Sequence, residues 1–251
     1  MIKVYWTRSN HGHKELKKMN LHPRAMISPL RFAPPEPLLK HIDYQNFLGP
    51  SVSKCPAIVD DLKNMFVIKS PVDIDVKVFH DDNKIQVDDQ PTDFVKSFIG
   101  EPQGKWGIHQ LGIGYLFFAE QSLMAHQLPA YFDDNDFTNK TFTISGGFDV
   151  GSWFRPMGKP AFMWKPTTNR VKIKEGDALI YMKFATTEKV KLIEFDDEEL
   201  NTMEERNPAF VCGTLKDQGA GKILSLEKCY QYFNRFRMKR KVMKLIKRNL
   251  I

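Results

Sequence analysis

Alternating apolar and polar residues mark strands in the middle of the chain. Ile74, Val76 and Val78 are separated by single residues, and a period of two places them on one face of a strand. The turn-forming sequence at 81–83 (Asp-Asp-Asn) is followed by renewed alternation in residues 84–87. This pattern predicts a β-hairpin.

A second group of strands is predicted further along the chain. Residues 170–174 alternate, the Glu-Gly-Asp sequence at 175–177 favours a turn, and residues 178–184 form an apolar strand. We therefore predict a hairpin over 170–184, with another strand at 189–195. Because 178–184 is apolar at most positions, it is expected to be a central strand that is covered on both faces.

Four other segments have strand-like composition: 108–118, 122–128, 142–148 and 161–164. About nine or ten strands result, with turn signals at short intervals and no helices alternating with them. The sequence therefore predicts a mainly β (α+β) fold, with an antiparallel β-sandwich or jelly-roll-like body.

Proline shapes the segment before this body. Seven of the 15 prolines fall between Pro23 and Pro56, and proline removes a backbone donor and restricts the residue before it. Residues 20–54 are therefore expected to form an extended arm that docks on the body, followed by a short helix at 56–64. The predicted division is one β-rich domain over 1–224 and a basic amphipathic helix over 225–251.

The positive charge of the chain is concentrated in this last segment. The net charge is +7, yet 28 basic residues face 30 acidic ones in 1–227, whereas 228–251 holds nine basic residues and no acidic one. The residues predicted to bind a partner there are Arg235, Arg237, Lys239, Arg240, Lys241, Lys244, Lys247 and Arg248. Three interpretations stay open: a solvated helix end, a nucleic-acid interface, and a docking site for a protein or an anionic membrane.

One pattern suggests metal chemistry. His80 and Asp82 match the His-x-Asp half of a two-histidine-one-carboxylate iron site, and His109 or His126 would supply the third ligand. Arg155 or Arg170 would then hold an acidic co-substrate. The alternative is that Asp81-Asp82-Asn83 simply forms the hairpin turn. A non-haem Fe(II)-dependent oxygenase of jelly-roll type is therefore an alternative function.

Aromatic residues cluster in a glycine-rich stretch at 146–164. Trp153, Arg155 and Trp164 fit a ligand rim in which the arginine anchors an anion. The same aromatics would equally fill the core at strand corners. The three cysteines have no paired spacing, which is typical of a reducing compartment. No signal-peptide core or membrane-spanning run is predicted.

Several phrases of the sequence resemble an uncharacterised protein family of tailed phages, in particular T4-like phages of marine bacteria. They are Ser-Lys-Cys-Pro-Ala at 53–57, Asn-Met-Phe-Val-Ile-Lys-Ser-Pro at 64–71, Trp-Phe-Arg-Pro at 153–156, Gly-Asp-Ala-Leu-Ile-Tyr at 176–181 and Phe-Ala-Thr at 184–186. The resemblance spans roughly residues 20–195 and implies a phage origin and a jelly-roll-like sheet. The Gly-Asp turn at 176–177 also resembles cupin-type proteins, but the histidine pairs of those proteins are missing.

Taken together, these patterns predict a non-catalytic phage accessory or structural protein. Its body would bind a partner or a small ligand, and its basic helix would tether it to protein or nucleic acid. A nucleic-acid-binding regulator is a further alternative, and a homo-oligomer is compatible with all of them. The expected location is the host cytoplasm or the virion.

Overall fold

The computed structural model describes residues 1–8, 33–43, 49–80, 84–87, 95, 98–100, 102–113, 115–152, 160–195 and 238–251. The strands are β1 (Ile2–Arg8), β2 (Glu36–Pro37), β3 (Met65–Lys69), β4 (Ile74–Phe79), β5 (Lys84–Val87), β6 (His109–Gln110), β7 (Tyr115–Ala119), β8 (Met124–Pro129), β9 (Thr141–Ile144), β10 (Gly146–Asp149), β11 (Ala161–Trp164), β12 (Arg170–Ile173), β13 (Ala178–Phe184) and β14 (Val190–Glu194). The helices are α1 (Leu38–His41), α2 (Gly49–Val52), α3 (Pro56–Leu62), α4 (Asp136–Lys140) and α5 (Met238–Arg248).

The fold is mostly β with several antiparallel sheets and a C-terminal helix, as the sequence predicts. The short helix expected after the arm is α3, and Pro56 lies in its first turn, where a missing N–H costs nothing. The predicted hairpin at residues 74–87 is also confirmed, because β4 and β5 pair with Val76 opposite Val87.

The largest described sheet has the order β10-β8-β13-β3-β2, and we call it the five-stranded sheet. All its pairs are antiparallel. Every residue of β13 except Lys183 is buried, so the prediction of a central strand covered on both faces is confirmed.

The predicted hairpin over 170–184 is wrong. β12 pairs with β4, whereas β13 pairs with β3 and β8. Both edges of β13 are therefore occupied, and no edge is left for β12. The turn at 175–177, where Gly176 has a φ of +88°, instead carries the chain from one sheet to another, and glycine tolerates this conformation without strain.

A second sheet, the β1 sheet, has the order β14-β1-β7. β1 was not predicted as a strand, although it lies in the middle of this sheet. It pairs antiparallel with β7 but parallel with β14. The parallel β1–β14 pair differs from the purely antiparallel body that the sequence predicts. The two strands are far apart in sequence, so no hairpin pattern indicates their pairing.

Two smaller sheets have the orders β12-β4-β5 and β6-β11-β9. Four of the strand pairs, taken from three of the four sheets, are nested along the chain. β3 pairs with β13, β4 with β12, β6 with β11, and β8 with β10, all antiparallel. Strands of the first half of the body therefore pair with strands of the second half in reverse order.

One hydrophobic core joins these sheets. It takes alternate residues from β1 (Val4), β7 (Phe117), β3 (Ile68), β13 (Met182) and β4 (Val76), each at most 1% exposed. Alternate residues of a strand point to opposite faces, so the other residues of β1, β7, β3 and β13 need separate cover. Helices provide it on both sides.

The outer face of the five-stranded sheet is covered by the arm and by helix α3. Leu38 of α1 and Leu62 of α3 are buried with Val67 and Tyr181 in a second cluster. Described residues of the arm thus dock on the body, and the hydroxyl of Tyr115 donates to the Ala33 carbonyl at 2.6 Å. Residues 20–32 and 44–48 of the predicted arm lie outside the described residues.

Asn64 supports the junction between β3 and the turn before β14. Its side chain is buried, donates to the carbonyls of Thr186 and Glu188 at 2.8 Å, and accepts from Val190 N–H at 3.0 Å.

We expect Asn64→Ala to lower the free energy of unfolding by about 2–4 kcal/mol, because buried polar groups lose their partners. Urea denaturation measures this change. The exposed neighbour Thr187→Ala is the control, and equal effects of both substitutions would contradict the assignment.

Candidate functional site

Helix α5 is strongly amphipathic. Its apolar residues Met238, Val242, Met243 and Ile246 are all buried. They recur at intervals of about one helical turn, so they form a single stripe along one side. The remaining positions are Lys and Arg, apart from the partly buried Leu245.

The apolar stripe packs on the outer face of the β1 sheet. There it meets Tyr5 of β1, Leu116 and Phe118 of β7, and Phe195 after β14, each at most 3% exposed. The neighbouring residues of β1 and β7 point into the main core. Both faces of these strands are therefore buried, and α5 buries the outer one.

Polar contacts fix both ends of α5. Near its start, the Lys239 ammonium donates to the Gly151 carbonyl at 2.7 Å. Near its end, Lys247 lies 2.9 Å from a Glu120 oxygen that also accepts from the Tyr5 hydroxyl at 3.3 Å. The hydrogen bond from Lys247 lowers the pKa of Glu120 and the same contact raises the pKa of Lys247. Burial, helped by Glu120, raises the pKa of Tyr5.

The loop that receives Lys239 is itself tightly held by Asp149. Burial alone would raise the pKa of this carboxyl, but hydrogen bonds from Ser122, Ser152 and two backbone N–H groups outweigh it and lower the pKa. A Cβ on Gly151 would lie 1.7 Å from the Gln121 carbonyl oxygen. The start of α5 is therefore tied to a loop whose backbone has little room to move.

The side of α5 that faces solvent is entirely cationic. Its exposed residues are Arg240, Lys241, Lys244, Lys247 and Arg248. Two exposed lysines of the β1 sheet extend this charge. Lys3 lies opposite Lys191 in the β1–β14 pair. The charge of Lys3 also helps to lower the pKa of the Glu120 carboxyl that binds Lys247. We call these seven residues the cationic surface. Arg235 and Arg237, which were predicted to belong to it, lie outside the described residues.

A polar network lies on the opposite side of the body, at the outer face of the five-stranded sheet. The buried Tyr181 hydroxyl donates to Asp133 at 2.5 Å, and the other oxygen of Asp133 lies 2.8 Å from His41 Nε2. His41 Nδ1 lies 3.7 Å from Glu36, which accepts from Lys69 at 2.8 Å. This network joins the arm to the body.

The charge states of the network follow from these contacts. Burial and the Asp133 carboxylate raise the pKa of Tyr181 far above its usual value, so its hydroxyl keeps its proton. The hydrogen bond from Lys69 lowers the pKa of Glu36. A cleft of about 200 Å³ lies beside Asp133 and is lined by Tyr131 and several threonines. Thr138 and Thr141 there already donate to nearby carbonyls.

No sequence pattern predicts this network, because Asp133 lies 92 residues from His41 and 48 residues from Tyr181. One signal was present. Tyr181 carries the only hydroxyl in a strand that is otherwise apolar except for Lys183, and a buried tyrosine hydroxyl generally needs a partner.

The residues of the iron hypothesis lie in different sheets. His80 follows β4 and its Nε2 lies 2.6 Å from the Thr168 carbonyl. His109 of β6 is fully buried, with its ring 5.6 Å from Phe162 and 5.5 Å from Trp164. His126 of β8 pairs with Gly147 and Lys183 in the five-stranded sheet. Asp82 lies outside the described residues, so the iron site stays a prediction.

The other proposed ligand residues are also only partly described. Among the described side chains, no group of three or more His, Cys, Asp or Glu residues is placed to hold a metal ion. Arg170, proposed to hold a co-substrate, forms a two-pronged ion pair with Asp75 at 2.7 and 2.8 Å. Trp164 is buried and packs on Phe162, whereas Trp153 and Arg155 lie outside the described residues.

The function of this chain must be argued from its own residues. No family model, curated protein or solved structure matches it. Within the described residues, no helix is both long and apolar enough to cross a bilayer. The cationic surface is the described feature whose chemistry points most directly to a partner.

The docking of α5 can be tested by placing a charge on its buried stripe. Val242 is fully buried, so Val242→Asp is expected to lower the free energy of unfolding by about 3–4 kcal/mol, because the carboxylate would be buried without a partner. Chemical denaturation of the full chain measures this effect. Lys244→Asp is the matched control on the exposed side and should cost less than about 1 kcal/mol. Similar losses for both variants would contradict the docking.

The polar network can be tested by removing one hydroxyl. Tyr181→Phe takes away the donor to Asp133 and the acceptor of the Phe132 N–H. We expect a loss of about 1–3 kcal/mol in the free energy of unfolding. Tyr131→Phe is the matched control, since Tyr131 is 51% exposed and its hydroxyl meets only Met65 sulfur at 3.5 Å among the described contacts. If thermal and urea denaturation rank the two variants equally, the network does not stabilise the fold.

Proposed function

We propose that the chain is a non-catalytic accessory or structural protein of a tailed phage. It acts by binding, and the cationic surface on α5 tethers it to a protein partner or to nucleic acid. The phage origin is supported by the sequence phrases at 53–57, 64–71 and 176–181. The host cytoplasm and the virion are both compatible locations, and a homo-oligomer is compatible with this proposal.

The observation that carries this proposal is the orientation of the charges on α5. Every exposed side chain of this helix is Lys or Arg, while its apolar stripe is buried on the β1 sheet. A solvated helix end would leave its charges free to move. Here the helix is held along its length, so five cations share one fixed face. Such a fixed, one-signed face attracts and orients an oppositely charged partner.

The body is proposed to be a jelly-roll-like sandwich. The support is the nested order of the antiparallel pairs β3–β13, β4–β12, β6–β11 and β8–β10. A jelly roll is a double sheet of eight strands, and nesting of this kind is how a long antiparallel ribbon folds over itself. In this arrangement the body serves as a rigid support for α5.

The role of the cationic surface can be tested with heparin-agarose as a polyanionic probe. We expect the triple variant Arg240→Glu, Lys241→Glu, Lys244→Glu to elute at a clearly lower salt concentration than the unmodified chain, because three of the five exposed α5 cations are reversed. Circular dichroism and thermal denaturation check that the variant is folded. Its substitutions lie on the exposed side of α5, so the fold should survive.

A matched control separates a located surface from net charge. Lys105, Lys172 and Lys174 are exposed lysines on a loop and on or beside β12, and their reversal to Glu changes the net charge by the same amount. This control should elute close to the unmodified chain. If both triple variants shift equally, retention depends on overall charge alone and α5 is not the tether.

A further inference from the structure

We infer that the partner of the cationic surface is duplex nucleic acid, bound through its phosphate backbone and without base readout. This inference rests on the proposed function and names the partner class of that surface. Each class of partner requires particular side chains, and the exposed residues of α5 supply those that suit a duplex. The starting observation is that these residues are Arg240, Lys241, Lys244, Lys247 and Arg248.

A protein partner is the first comparison. Stable protein interfaces centre on buried aromatic or aliphatic anchors surrounded by a polar rim. On α5 the apolar side chains are used up by the β1 sheet, and the exposed face presents cations only. Leu250 and Ile251 are exposed, but they lie after the end of α5. They run beside the edge strand β14, where the Ile251 N–H donates to the Glu194 carbonyl. The centre of the surface therefore has the chemistry of an interface rim.

The exposed side of α5 lacks the side chains that a membrane or a single-stranded nucleic acid would need. An interfacial helix inserts its apolar face into the lipid, but that face of α5 is already buried against Tyr5, Leu116 and Phe118. Proteins that bind single strands add aromatic side chains on which bases stack. The exposed residues of α5 have aliphatic stems and charged ends, which suit phosphate groups rather than bases.

The geometry of α5 fits a phosphate backbone. Arg240, Lys244 and Arg248 recur every four residues, so they share one side of the helix. Eight residues span about 12 Å at 1.5 Å per residue, and a duplex strand presents a phosphate about every 3.4 Å along its axis. The row therefore spans the axial rise of about three phosphates of one strand when α5 lies along the duplex axis. Lys241 and Lys247 flank the row, and Lys3 and Lys191 extend the surface over the β1 sheet.

Lys247 of the cationic surface has an anionic neighbour. Lys247 pairs with Glu120 at 2.9 Å, and Glu120 is held by Tyr5 and lies near Lys3. This carboxylate lies between Lys247 and Lys3, both members of the cationic surface, and would repel phosphates there. The cations away from Glu120 therefore carry most of the phosphate contacts.

The test is fluorescence anisotropy of the full chain with a labelled 20-base-pair DNA duplex over a series of salt concentrations. Four or five phosphate contacts predict a slope of about −3.5 to −4.5 in log affinity against log salt. Two duplexes of unrelated sequence should bind within about twofold of each other, since phosphate contacts carry no sequence information. The α5 triple variant should lose about 2.7 units of this slope, about 0.9 for each contact removed.

The β12 and loop triple variant, with Lys105, Lys172 and Lys174 reversed, should keep a slope close to that of the unmodified chain. Poly-glutamate and phosphatidylcholine vesicles containing phosphatidylserine serve as competing polyanions, and both should displace the duplex poorly. Efficient displacement by either one, or an unchanged slope in the α5 variant, would overturn the inference. If the duplex fails to bind while heparin retention still depends on α5, the partner class is wrong but the tether stands. If heparin retention does not depend on α5, both proposals fail.

Discussion

The rest of the structure depends on the double-sided burial of β1 and β7. All five residues of β7 are buried, and in β1 the side chains of Val4 and Tyr5 point into different clusters on opposite faces. A sheet of this composition cannot face water on either side, because each exposed aromatic or aliphatic side chain would cost about 1.5–3 kcal/mol. Helix α5 meets this constraint with one apolar stripe, and so its cations must point outward.

The five-stranded sheet is covered in the same way, but with different consequences. α1 and α3 bury its outer face around Leu38 and Val67, and here a polar network crosses the junction. Tyr181 and Asp133 belong to the body, whereas His41 and Glu36 belong to the arm. The two sides of the body thus differ in chemistry. One is sealed by a network that links Asp133 to His41 and Glu36 to Lys69, whereas the described part of the other exposes five α5 cations, of which Lys247 pairs with Glu120.

The sequence predicts this fold well where local pattern and tertiary environment agree. The hairpin predicted around Val76 and the central strand predicted at 178–184 are both confirmed. In each case the apolar residues of the pattern are the ones that become buried. Pairing is harder to predict. The parallel β1–β14 pair joins residues nearly 190 positions apart, and β12 fails to form a hairpin with β13 because more distant strands occupy both edges of β13. The Tyr181 network has the same character, since its geometry is set by tertiary packing rather than by spacing along the chain.

The direction of the charges on α5 therefore depends on the packing of its apolar stripe on the β1 sheet. A deletion of the helix would remove the cations, but it would also expose Tyr5, Leu116 and Phe118, so lost binding and lost folding could not be separated. Reversing only the exposed charges leaves the apolar stripe in place. The direction of the charges is fixed by the same contacts that close the core, so a partner that recognises them recognises the folded body. The proposed binding would therefore depend on folding, because the β1 sheet must form before the five cations share one face.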